Sequence, residues 1–108
     1  MKILIPTFLL VVILSTGLFG QSPMQPGFTM LEKGEFAEAK VFFEDYLKTD
    51  ADNKTARLCY GRAMGLSGSS EEATALFSDL LVEYPGDLEL GLNYAESFLW
   101  RSDFISAE

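Results

Sequence analysis

Two apolar stripes organise the middle of the chain. Phe36, Ala39, Phe42, Phe43, Tyr46 and Leu47 recur at spacings of three and four, and Ala73, Leu76, Phe77, Leu80, Leu81 and Tyr84 do so again. That period puts each set on one face of an α-helix, the first starting near Glu35. Ser69 followed by Glu72 has capping-box spacing and marks the start of the second helix. Gly34 and Gly68 stand just ahead of the two helices, where a left-handed residue closes the helix before. Tight helix-helix turns are predicted at both.

The stripes are related by a fixed step. Ala39, Ala73 and Ala107 are each 34 residues apart, and the same step links Gly27, Gly61 and Ala95, Phe43 and Phe77, and Tyr60 and Tyr94. Twice that step separates Phe36 from Phe104. Small residues fall on small and aromatic on aromatic, as expected of stacked supersecondary units.

Ahead of the repeats, residues 1–20 read as a secretory signal peptide: one basic residue, an apolar run from Ile3 to Leu14, then Ser15, Thr16 and Gly17. The run is shorter than the ~20 apolar residues that span a bilayer, so cleavage after Gly20 and a mature chain that does not cross the membrane are expected. Residues 21–26 form a linker rich in turn formers, including Pro23 and Pro26, and residues 27–108 form the helical repeats. Cys59 is the only cysteine, which leaves no internal disulfide and no lipid-attachment thiol behind the leader.

The segment from Lys54 to Pro85 resembles a tetratricopeptide repeat. It carries Tyr60-Gly61 with Met64 three residues on, then Ala73 and Phe77, and closes on Pro85. The preceding unit keeps Gly27, Met30, Ala39 and Phe43 but has Ala51 in place of the closing proline. The third keeps Tyr94-Ala95, Phe98 and Ala107, and its second helix would begin at Asp103. The resemblance implies an all-α architecture, an α-solenoid of antiparallel helix pairs with about two and a half units and a right-handed superhelix. Its concave groove would be lined by the first helices and would bind a protein or peptide segment.

Charge and composition narrow the chemistry. The formal net charge is -8, a balance that repels nucleic acid and anionic lipid. Without histidine the chain lacks the commonest general base and nitrogen ligand. Asp50, Asp52 and Asn53 begin like a calcium loop, but Lys54 and Thr55 occupy its fifth and sixth positions, so a turn and helix cap are expected instead. The pairs Glu35 and Glu38, Glu44 and Asp45, and Glu71 and Glu72 read as solvated helix surface. No catalytic residue, cofactor or metal is expected.

The residues left over for a groove are Thr55, Leu58 and Arg62 in the second unit and Glu89, Leu92, Glu96 and Leu99 in the third. Leu58 and Leu92 would grip apolar side chains, and Arg62 and Glu96 would orient polar groups or pair with each other. Trp100 is expected to pack beneath a following helix, and Cys59 to be a small buried residue. The function expected is an exported interaction or scaffold module, periplasmic or envelope-associated in a bacterium, with self-association possible through the C-terminal face. The alternative is the N-terminal repeat part of a longer outer-membrane β-barrel or assembly protein, which Leu99 to Phe104 resembles.

Overall fold

The structure, a computed structural model, describes residues 22–107, with side chains from 22 to 100. The predicted signal peptide over 1–20 lies outside the described residues. The described chain is all-α, with five helices and no strand: α1 Gln25–Glu32, α2 Phe36–Tyr46, α3 Lys54–Leu66, α4 Ser70–Glu83 and α5 Leu88–Ala107. Pro26 sits in the first turn of α1, where a missing N–H interrupts no helical hydrogen bond.

The turns repeat atom for atom. Gly34 has φ +80°; its N–H donates to Leu31 O at 3.2 Å and the Glu35 N–H to Met30 O at 2.8 Å. One step of 34 residues later Gly68 has φ +117°, with Gly68 N–H on Gly65 O at 3.2 Å and Ser69 N–H on Met64 O at 3.0 Å. This is the Schellman closure, which favours glycine because its left-handed residue carries no Cβ. The starts of α3 and α5 repeat too: Asn53 Oδ1 accepts from Ala56 N–H and Asp87 Oδ1 from Leu90 N–H, both at 2.9 Å. The capping box expected at Ser69 and Glu72 does not form. Ser69 lies at φ -109° and ψ 56°, away from the extended backbone that aims a capping hydroxyl at the first turn.

Close approaches fix the helix directions. A Cβ on Gly27, near the start of α1, would lie 2.5 Å from the Phe43 ring near the end of α2. In the next pair Gly61 meets Phe77, and Gly65, one turn later, meets Ala73, one turn earlier. Both pairs are therefore antiparallel. Between α3 and α5 the contacts advance together, Lys54 with Asp87, Arg62 with Glu96 and Gly65 with Trp100, so these helices run parallel.

α3 divides the core. Ala56, Cys59 and Ala63 join Ala39 and Phe43 in one cluster; Leu58 and Met64 join Ala73, Phe77, Leu80, Leu90 and Trp100 in the other. Trp100 packs backward, against Gly65 and edge-on to Phe77 at 6.1 Å, rather than beneath a following helix. The turn expected ahead of Asp103 is also absent, because α5 continues to Ala107. One step of 34 residues after Gly68 stands Ser102, which lacks glycine's access to the left-handed turn.

Two helical glycines, Gly61 on α3 and Gly91 on α5, should respond oppositely to alanine. Gly61→Ala adds a methyl 2.6 Å from the Phe77 ring, and overpacking of this kind costs about 1–3 kcal/mol. Gly91 has open space around its Cβ position, so Gly91→Ala should stabilise by about 0.5–1 kcal/mol through helix propensity. Urea unfolding of both variants checks the signs.

Candidate functional site

The surface shared by α3 and α5 is built around one arginine. Arg62 Nη1 donates to Asn93 Oδ1 at 2.6 Å and to Glu96 Oε1 at 3.0 Å, and the guanidinium lies 5.5 Å from the Trp100 ring centroid. Asn93 is buried and uses its other end as well, Nδ2 donating to Glu89 O at 2.8 Å. The desolvation of that amide is therefore matched by hydrogen bonds at both ends. At the entrance to α5, Lys54 pairs with Asp87 and lies over the Tyr84 ring. The Asp87 carboxyl is held below the usual carboxylate range, first by its hydrogen bond from Lys54 and then by the Leu90 N–H. Arg57 clamps Glu83 of α4 with two hydrogen bonds, at 3.0 and 3.3 Å.

Of the expected groove residues, Thr55, Glu89, Leu92, Glu96 and Leu99 are exposed, and Arg62 is half-buried and already engaged. Leu58 is a correction. Its side chain is 5% exposed and belongs to the second core cluster, because α4 and α5 both pack on that flank of α3. It is unavailable to a partner. Asn53 and Asp50 form the expected turn and cap, with Asn53 Nδ2 on Asp50 Oδ2 at 2.9 Å.

Comparing α3 with α5 at the 34-residue step reveals what the groove reading missed. Ala56, Cys59 and Ala63 face the preceding pair, and their counterparts Leu90, Asn93 and Ser97 are buried likewise. Leu58, Gly61 and Met64 are also buried in α3, Met64 at 7% exposed. Their counterparts emerge on α5: Leu92 is 59% exposed, Ala95 is exposed and Phe98 is 49% exposed. Leu99, the counterpart of buried Gly65, is 62% exposed, and Leu88 is 78% exposed. At roughly 100° per residue these side chains fall within an arc of about 120° on one side of α5, with Glu89 and Glu96 together along one edge of it. Leu88, Ala95 and Phe98 were not among the expected site residues, although the repeat step alone marks Ala95 and Phe98, the counterparts of Gly61 and Met64, as interface positions.

Elsewhere, Pro23, Phe42, Asp45, Tyr46, Lys48 and Thr49 line an open hollow of about 340 Å³. Asp45 and Lys48 on its edge already pair with each other. Among the described residues no helix is long and apolar enough to cross a membrane, and no three His, Cys, Asp or Glu side chains gather as metal ligands. No family model matches the chain, and no curated protein or solved structure matches it either.

Burial pushes the Cys59 thiol up to about 11, Arg62 offsetting this only in part. An unfolded thiol ionises near pH ~8.5, so between there and about pH 11 the unfolded chain binds fewer protons than the folded one and stability falls as pH rises. Cys59→Ser should flatten that part of the urea-midpoint profile. In the native chain at pH 8, a thiol reagent should label Cys59 only at the rate of opening.

Proposed function

We propose that this chain is an exported, non-catalytic interaction module of the tetratricopeptide type, which holds a helical segment of a partner protein along α5. The uncovered apolar arc of α5 carries this reading: side chains at positions buried in α3 are presented to solvent. A contiguous apolar patch bordered by acidic residues is characteristic of a protein-binding surface. The repeat assignment is supported by the 34-residue recurrence of the Schellman turns, the helix caps and the glycine-to-phenylalanine contacts. Export rests on the sequence pattern of residues 1–20.

The groove contributes the rim of this surface. Arg62 and Glu96 satisfy each other, which leaves Thr55 and Glu89 as exposed polar contacts beside the α5 arc. The partner is therefore gripped mainly by Leu92, Phe98 and Leu99. The side-chain pairs already formed keep α5 in register and leave few further polar contacts to offer.

Site-specific photocrosslinking tests the reading. A photoreactive side chain placed at Leu92 or Thr55, in cells that produce the chain, should yield a discrete adduct with another protein. The same group at Val82, which is 81% exposed on α4, should yield none. Adducts of equal intensity at all three positions, or none at any, would contradict a binding surface on α5.

A further inference from the structure

We infer that the ligand of the α5 arc is an amphipathic helix of another polypeptide, antiparallel to α5, bearing a small residue and an aromatic ring four positions apart and basic residues along its border. The inference rests on the reading of the chain as an interaction module and specifies its partner.

The chain itself shows twice what covers such a face. Gly27 on α1 receives the Phe43 ring, with Ala39 one turn before it on α2; Gly61 on α3 receives Phe77, with Ala73 one turn before it on α4. All four of those α2 and α4 side chains are fully buried. Ala95 occupies the same register on α5, flanked by Leu92 and Phe98 where Leu58 and Met64 flank Gly61. Its methyl keeps the incoming ring further from the α5 axis than Phe77 lies from α3, so the ring rests across Ala95 between Leu92 and Phe98. Phe98 is set edge-on to Tyr94 at 5.1 Å, which defines one wall of the seat.

Charge and size select another polypeptide over a second copy. Each copy carries a formal charge of -8, and Glu89 lies exposed at one edge of the arc, so pairing two copies brings like charges together. Leu88 to Leu99 spans only about 17 Å at 1.5 Å per residue. A single helix-helix contact of that length falls short of the ~1,200 Å² that a stable dimer buries. Lysine or arginine beside the apolar face of the incoming helix meets Glu89 directly. Where α3 presents the cation Arg57, α4 answers with Glu83; the acidic border of α5 calls for the reverse.

The probe is a labelled peptide of residues 69–84 with Glu71, Glu72 and Glu83 replaced by lysine, which keeps Ala73 and Phe77, titrated into the full chain by fluorescence anisotropy. Saturable binding is expected at micromolar peptide, weakening by about tenfold or more when the peptide carries Phe77→Ala and vanishing when the chain carries Leu92→Asp and Leu99→Asp. Both leucines are exposed, so an unchanged unfolding midpoint confirms that the variant folds. The α5 variants also separate docking from displacement of the chain's own α4, which does not involve these side chains. Binding that ignores Phe77→Ala or the α5 variants is indiscriminate charge attraction and overturns the inference. So does the absence of binding, or sedimentation showing a dimer that the α5 variants dissociate. If the peptide fails while the Leu92 crosslink still captures a protein, this inference falls and the interaction reading stands; if both fail, both fall.

Discussion

The structure depends on how closely two aromatic rings approach the backbone of α3. Gly61 admits Phe77 and Gly65 admits Trp100, each at a distance that a single methyl would occupy. Removing the side chain from one helix lets the ring of the next seat against its backbone, where dispersion contacts are dense and water is excluded. Because Phe77 belongs to α4 and Trp100 to α5, the two glycines lock three helices together. Ala56 and Ala63 perform the corresponding role on the opposite face, where α3 meets the cluster around Phe43. α3 is thus the wall between two core clusters, and the positions of α4 and α5 follow from it.

Polar contacts refine what the apolar contacts establish. Exposed ion pairs contribute little individually, so Lys48 with Asp45 adds little to the fold. Arg62 differs because it links a buried amide, a carboxylate and an aromatic face at one point. Its effect is to fix the axial register of α5 on α3 and hence the direction in which Leu92 and Leu99 point. The face offered to a partner is set by residues on the opposite side of the same helix.

Much of the fold was legible in the sequence because the determinants were local. The spacing of Phe36 to Leu47 and of Ala73 to Tyr84 gave two helices, and Gly34 and Gly68 gave the turns within each pair. Asn53 was correctly read as a helix cap, its side chain accepting from the Ala56 N–H. The capping box at Ser69 failed because the turn geometry imposed by Gly68 took precedence over side-chain spacing. The candidate site was less legible. Leu58 and Leu92 are equivalent in sequence, yet one is core and the other surface, since burial depends on whether a helix lies beyond. The turn expected before Asp103 failed for a local reason, the serine that stands where the earlier units carry glycine.

The central claim is that α5 exposes the positions that α3 buries. Thiol accessibility measures it directly: in a Cys59→Ser background, labelling rates are compared for Leu58→Cys, Met64→Cys, Leu92→Cys and Phe98→Cys in the native chain. The variants at 92 and 98 should react at rates near that of an unstructured peptide, and those at 58 and 64 should be slowed to the rate of helix opening. Equal protection at all four positions would show that α5 is already covered, and equal reactivity would show that α3 is not the interior wall.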